Sequence, residues 1–363
     1  VNDIAELRRF VVVHAKAQKI RPTHYQEVLA RIQHDGTGPG SWVYEWTHAG
    51  EQHERAGRFL DACRDHNIAR FPFVDGPARQ DAHERCIAAF DRWRRDRSIT
   101  PLVVDLPDNT RVRCWTSGLS RVDRRPLQIL MGGIVAIKEQ WAPALPRIRA
   151  LGLAGIAVEM PGVGENQSRY SHDGHLMLAA VMDAVGSLAD VSNTRAIALS
   201  FSGHLALRQA AVDRRLRGII TSGVPVREFF TDETWFRSLP RLTTATLAHL
   251  TGVRGEALLD HLRPWALGDG ELAALDIPVR LMVSARDEII PAGDVEVMRA
   301  HIQDLETVEY DDVHGSPSHV AESRMWTTLC LTRMAQAPAA RRAVVRSMLA
   351  VARARRAITA GAR

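Results

Sequence analysis

Long apolar runs are missing from this chain. Nothing in it approaches the roughly 20 consecutive apolar residues of a membrane-spanning helix. The opening VNDIAELRRFVVVHAKAQ is too short and too interrupted in its apolar part to read as a signal peptide. A cytoplasmic protein with no membrane partner is the expectation. Cysteine is scarce as well: Cys63, Cys86, Cys114 and Cys330 lie far apart, with no C-x-x-C pair and no Cys/His metal spacing. Free thiols in a reducing compartment are expected, and no metal site. Lysine is nearly absent, for Lys16, Lys19 and Lys138 leave 44 of the 47 basic residues to arginine. The arginines are spread along the chain, so the net charge of +5 reads as a compositional habit and no nucleic-acid partner is expected. Only the tail ARRAVVRSMLAVARARRAITAGAR concentrates them. It reads as a solvated basic helix, with docking on an acidic surface or another subunit, a homodimer included, as the alternative.

What is present is the composition of a globular protein. At 45% hydrophobic and 25% charged, 363 residues are enough for one large domain with a sizeable insertion, or for two domains. Residues 1–97 read as helices, as in SWVYEWTHAGEQHERAGRFLDACRDH, where apolar residues recur at helical spacing behind a capping serine. This is an all-helical N-terminal cap domain. From residue 98 the pattern changes. TPLVVDLPDNTRVRCWTSG alternates and turns like a hairpin, and the short runs LQILMGG, AGIAVEM, RAIALS, LRGIITSG and VRLMVSA come after it with helical segments between them. Such alternation predicts an α/β fold, a mainly parallel sheet with helices on both faces, over 98–340. Residues 224–270 look helical and interrupt the strand rhythm, which makes them a candidate lid, and 341–363 form the basic tail.

Ligand sites in open parallel sheets form beyond the carboxyl ends of the strands. Ser200 follows RAIAL, Asp287 follows VRLMVSA, and His314 and His319 follow EYDDV, the apparent last strand and its exit loop. Nucleophile, acid, histidine is the chain order of the α/β-hydrolases, here with 87 and then 27 positions between members. The stretch AIALSFSGHLAL offers two serines. A strained strand-to-helix turn needs small side chains two before and two after the nucleophile. Ser200 has Ala198 and Ser202 there, whereas Ser202 would have the bulky His204, so Ser200 is the expected nucleophile and Ser202 a supporting residue. His314 is placed first as general base, with His319 supporting or facing substrate. Asp287, with Glu288 and Asp294 as competitors, would orient the imidazole. The Gly-Gly turn of LMGGIVAIKEQW puts backbone N–H groups around Gly133 and Ile134 in reach of a developing oxyanion, with the Phe201 N–H as second donor. GVGEN is too short a glycine pattern for a dinucleotide, and no cofactor is expected.

These residues resemble a known group. WTHAGEQHERAGRFLD, the Gly-Gly followed by Lys-Glu in LMGGIVAIKEQW, the Pro-Gly-x-Gly-Glu of EMPGVGEN and the acid loop SARDEIIP are similar to the α/β-hydrolases of the fermentation/respiration switch protein type. That group includes dihydroxypseudooxynicotine hydrolase and fungal polyketide chain-shortening hydrolases. The likeness runs from about Trp42 to Trp326, and it departs from the group at the elbow, where Ala198 and Ser202 replace glycines, and in VHGSPSH. The resemblance implies a serine hydrolase covered by its helical N-terminal part and lid. Its substrate would be a bulky small-molecule carbonyl compound, polyketide or aromatic, cut at an ester or at the C–C bond beside a ketone. It further implies that Lys138 and Glu139 tie the oxyanion loop to the N-terminal domain. Trp42, Tyr44 and Trp46, with Phe229, Phe230, Trp235 and Phe236 of the lid, are the candidate pocket walls. Acyl transfer, thioester release or cyclisation is the second enzymatic reading, and a binding or regulatory protein on the same fold the third.

Overall fold

The computed structural model describes residues 2–361, with side chains to 356. Helix signals in the first hundred residues become α1 (Ile4–Ala17), α2 (Pro22–Arg31), α3 (Trp42–Arg55), α4 (Phe59–Ala69) and α5 (Pro77–Arg94). The starts reflect local chemistry. The Asp3 carboxylate accepts from the N–H groups of Ala5 and Glu6, Ser41 Oγ accepts from Tyr44, and α2 and α5 open on proline, whose missing N–H costs nothing there. The inward faces bury Leu7, Val11, Trp42, Trp46, Cys86 and Phe90. All four cysteines are buried free thiols.

The sheet has eight strands: β1 (Thr100–Asp105), β2 (Arg111–Ser117), β3 (Pro126–Met131), β4 (Ala154–Val158), β5 (Asp190–Ala198), β6 (Leu216–Ser222), β7 (Val279–Ser284) and β8 (Leu305–Tyr310). Their order is β1-β2-β4-β3-β5-β6-β7-β8. β1 and β2 form an antiparallel hairpin, β2 runs antiparallel to β4, and all pairs from β4 to β8 are parallel. Strands covered on both faces lose alternation, and β4 (AGIAV) is buried at every position. The intervening helices are α6 (Lys138–Trp141), α7 (Leu145–Ala150), α8 (Met177–Ala184) and α9 (Phe201–Val212).

Between β6 and β7 the insertion folds into α10 (Glu228–Thr231), α11 (Glu233–Ser238), α12 (Arg241–Thr251), α13 (Ala257–Leu262) and α14 (Asp269–Ala273). Two carboxylates from outside hold it. Asp294, in α15 (Ala292–His301), accepts backbone N–H bonds from Val226, Arg227, Glu228 and Phe229. Glu6 of α1 accepts from the N–H groups of Arg241 and Leu242, capping α12 from the N-terminal domain. The first helix and the insertion are thereby joined above the sheet.

The chain ends in α16 (Val320–Met334) and α17 (Ala339–Gly361). The tail is not the wholly solvated helix its charge suggests. Val345 and Leu349 are buried and Arg356 pairs with Glu322 of α16 at 3.0 Å, because an apolar stripe runs along the basic helix. Residues 362 and 363 of the expected tail lie outside the described residues. Among the described residues no helix is long and apolar enough to cross a membrane.

Candidate active site

Ser200 stands between β5 and α9 with φ 59° and ψ −130°. A residue with a side chain pays about 1–3 kcal/mol to hold such a conformation, so the surroundings must impose it. They do so from both sides. The Ser200 N–H donates to Ser222 O at 2.7 Å, and the buried Ser202 hydroxyl reaches Leu199 O at 2.9 Å and Met131 O at 3.1 Å. At Gly203 a methyl group would lie 2.2 Å from Thr221 Oγ1, so the close approach of helix to strand falls one position beyond the small residue that the spacing predicts. Of the two candidate serines, Ser202 fastens the turn and Ser200 projects from it.

His314 lies beyond β8, and its Nε2 is 3.2 Å from Ser200 Oγ. Its Nδ1 lies 3.0 and 2.9 Å from the two oxygens of Asp287, which also accepts the Ile289 and Ile290 N–H groups at 2.9 Å each. With the proton held on Nδ1, Nε2 is the acceptor for the serine hydroxyl. The competing carboxylates have other tasks. Glu288 accepts the His314 backbone N–H at 3.0 Å, and Asp294 anchors the insertion. Burial pushes the His314 pKa down, but the charge and hydrogen bond of Asp287, helped by Glu288, outweigh it and leave the pKa above the ordinary 6.5. His319 makes no hydrogen bond to the serine. It donates from Nδ1 to Asp312 at 2.9 Å and stacks on Tyr310, while Asp312 accepts the N–H groups of Val313 and Ser318, so this pair shapes the loop that carries His314.

Gly133 follows β3 beside the serine: a methyl group on it would lie 3.0 Å from Ser200 Cβ. The turn closes with Ala136 N–H to Gly133 O at 3.0 Å and carries Ile134 at the cavity wall. Phe201 opens α9, so its N–H is one of the helix donors with no intrahelical partner. Arg70, at the end of α4, fastens this turn to the N-terminal helices. Its buried guanidinium donates to Val135 O, to Pro72 O and to Asn67 Oδ1. The expectation that Lys138 and Glu139 make that tie is corrected here. Lys138 Nζ pairs with Glu139 at 2.9 Å, Glu159 at 3.4 Å and Glu165 at 2.8 Å, and Glu139 accepts the Trp115 indole N–H at 2.7 Å. These partners belong to the sheet domain, because a buried ammonium gathers the nearest carboxylates. Burial is the largest influence on Lys138, but its three carboxylates overcome it and keep it charged; burial and the crowding of acids raise the pKa of Glu159.

Ser200 and His314 open into a cavity of about 1790 Å³ whose wall includes Phe10, Val13 and His14 of α1 and Leu242, Thr243 and Thr246 of α12. His14 is kept neutral, burial and then Arg70 pushing its pKa down to about 4. None of the seven aromatic residues expected as pocket wall lines it, a second correction. Trp42, Trp46, Phe229 and Phe230 are wholly buried, Phe236 nearly so, and Tyr44 faces solvent. Aromatic residues at helical spacing filled the cores of the two helical parts. Phe229 reaches the site indirectly, packing edge-on against Phe201 at 5.1 Å, and Trp235 donates to Ile289 O. Sequence reasoning missed Gly223, which flanks His314, and Arg70; a glycine ending β6 beyond its carboxyl end was the available signal for the first. It also missed His24, His53 and Asp65, whose ligand-type atoms lie within 4.8 Å of one another. Lys19, Arg21, Arg58 and Arg64 surround that group, and Asp65 serves both imidazoles.

No family model matches the chain. It is 48% identical to AbyA5, over 96% of this chain and 99% of that one, with a TM-score of 0.92. It is 25% identical to esterase FrsA of Photobacterium profundum over 274 residues, a stretch that covers 67% of this chain but only 65% of that relative's length. Against esterase FrsA of Vibrio parahaemolyticus it is 21% identical over 77% of each chain. The 2,6-dihydroxy-pseudo-oxynicotine hydrolase, at 17% identity, shares the fold with a TM-score of 0.68 over 84% of this chain and 90% of that one. The parallel sheet, the turn at Ser200 and the near-full-length likeness to AbyA5 lead to one conclusion: the chain belongs to the family of AbyA5, among the α/β-hydrolases of the fermentation/respiration switch type.

Proposed function

We propose that this chain is a serine hydrolase that cleaves a bulky carbonyl compound through an acyl-enzyme. Ser200 attacks the carbonyl carbon as His314 Nε2 takes its proton, and Asp287 steadies the imidazolium without being protonated. The N–H groups of the Gly133–Ile134 turn and of Phe201 face the oxygen that gains charge; one such donor lowers the barrier by about 2.7–4 kcal/mol. Collapse expels an alkoxide from an ester, or an enolate where the bond cut is the C–C bond beside a ketone, and His314 returns the proton. Water then attacks the acyl-serine with His314 again as base, releasing the acid. A cavity of about 1790 Å³ exceeds the roughly 300–1,000 Å³ of drug-sized sites and supports a large, mainly apolar small molecule such as a polyketide or aromatic ketone.

The observation that carries this reading is the strained Ser200 with Oγ 3.2 Å from His314 Nε2. Labelling with a fluorophosphonate, located by mass, tests it. The adduct is expected on Ser200 and not on Ser202, lost in Ser200→Ala and weakened in His314→Ala. A panel of p-nitrophenyl esters beside aryl β-diketones then tells which bond is cut, and added alcohols reveal acyl transfer. No adduct and no turnover of any of these compounds would overturn the hydrolase in favour of a binding protein.

A further inference from the structure

We propose that the cavity recognises an organic anion: Lys19, Arg64, Arg147 and Arg324 form a cationic mouth for a carboxylate at the end of the substrate remote from the carbonyl under attack. The inference rests on the hydrolase reading of Ser200 and names the substrate class for that site.

The four cations come from separate elements and converge on one cavity. Lys19 stands just beyond α1, Arg64 on α4, Arg147 on α7 and Arg324 on α16, and all four border the space that Ser200 and His314 enter. Lys19 and Arg64 also border the small pocket of Asp61 and Asp65, which offset part of their charge. Arg64 bonds Asp61 at 2.7 Å, and Arg324 donates to the carbonyls of Lys16 and Ala17, which is a helix end and not a counter-ion. Among the described residues no carboxylate pairs with Lys19, Arg147 or Arg324. The two acids on the cavity wall are already engaged, Glu139 by Lys138 and Glu322 by Arg356. Burial first, and then repulsion from the other arginines of the cluster, pushes the pKa of both Lys19 and Arg324 down. A group of like charges that repel one another is stabilised by an anion set among them.

Helix α1 supplies a ruler. Phe10, Val13, His14 and Ala17 line the cavity at helical spacing, along one face of the helix. Val13 lies against Gly315, next to His314, where a methyl group would come within 2.9 Å of it. From Val13 the helix runs four positions to its end at Ala17, about 6 Å along the axis at 1.5 Å per residue, and Lys19 stands two positions beyond that end with φ 62°. Phe10, Val13 and Ala17 from α1 and Trp141 give the cavity wall apolar surface, beside His14 and Gln18. The ligand this describes has a carbonyl at Ser200, an apolar body, and a negative head past the end of α1, beyond about 6 Å of helix wall from Val13.

Two p-nitrophenyl esters of equal reach test it, the monoester of azelaic acid with a free carboxylate and the nonanoate with none. The carboxylate ester is expected to have the higher kcat/KM, by about tenfold at low salt, with the advantage shrinking as ionic strength rises. Lys19→Gln with Arg147→Gln should raise KM for the carboxylate ester with little change in its kcat, and Arg147→Lys should recover most of the preference. Binding is read without chemistry by calorimetry on Ser200→Ala protein, where monomethyl azelate should bind more tightly than dimethyl azelate. Equal handling of the two esters and of the two azelates, with Ser200 still labelled by the fluorophosphonate, overturns the anion site and leaves the hydrolase standing. Loss of labelling with the azelate preference intact does the reverse. A preference for nonanoyl-coenzyme A over the pantetheine thioester, with none between the nitrophenyl esters, assigns the cluster to phosphate and overturns the carboxylate.

Discussion

Gly223 and His314 meet with no room between them: a methyl group on Gly223 would lie 2.6 Å from Cε1 and 2.9 Å from Nδ1 of the imidazole. Gly223 also has φ 54°, a conformation that side chains resist. The ring is thus held by Asp287 on one edge and by bare backbone on another. Gly223→Ala should displace it and lower kcat by about 100-fold, the scale of an ångström's misplacement of a catalytic group. Steady-state kinetics beside thermal unfolding checks this. A variant that unfolds earlier yet turns over normally would show that the ring does not depend on this contact.

In the proposed mechanism the raised pKa of His314 sets the acid limb of activity. Neutral imidazole is the form that accepts the serine proton, so activity should fall as pH drops through a value above the ordinary 6.5. The same shift acts on stability with a fixed sign. Protonation favours the folded state, so this contribution is full below 6.5 and disappears as pH rises through the folded pKa. Asp287→Asn removes the leading cause that raises the pKa and should move the acid limb downwards while lowering the maximum rate. A pH–rate profile whose acid limb stays in place would break the link between Asp287 and His314.

Arg70 joins the end of α4 to Val135 in the turn that carries Gly133 and Ile134. Arg70→Met leaves buried carbonyls without donors and should cost about 2–4 kcal/mol in a denaturant titration. If the tie positions the oxyanion donors, kcat should drop while KM for a small ester changes little. Lost stability with unchanged kcat would reduce Arg70 to a joint between the two parts of the chain.

Glu159 shares Lys138 with two other acids, and burial raises its pKa above the glutamate value of 4.5. An acid shifted upwards binds its proton more firmly in the folded state. Its effect is therefore neutral below about 4.5 and becomes a growing penalty as pH rises through the folded pKa. Glu159→Gln should flatten the decline of Tm between about pH 5 and about pH 8. A Tm profile as steep as that of the parent chain would place the penalty elsewhere.

The sheet was legible because parallel strands covered on both faces must be short apolar runs, and each such run singled out overlaps a strand. Ser200, Asp287 and His314 were legible for a related reason, since their places after β5, β7 and β8 are the places a parallel sheet presents to a ligand. The aromatic residues were misread. Trp42 and Trp46 have helical spacing, which tells that one face is buried but not what it is buried against. Lys138 and Glu139 were misassigned because their partners, Trp115, Glu159 and Glu165, are distant in sequence and meet only when β2, β4 and the loop after β4 assemble.

Sequence alone determined the alternation of strands and helices, the insertion between β6 and β7, and the order of the hydroxyl, the carboxylate and the imidazole. These are local or periodic properties, written in hydrophobic spacing and in the residues at the carboxyl end of each strand. Tertiary structure decided the rest: which serine leaves the turn exposed, that Gly223 and Arg70 hold the site in place, and that α1 walls the cavity. Those outcomes depend on contacts between residues far apart in the chain, and no spacing rule encodes which distant surfaces will close upon one another.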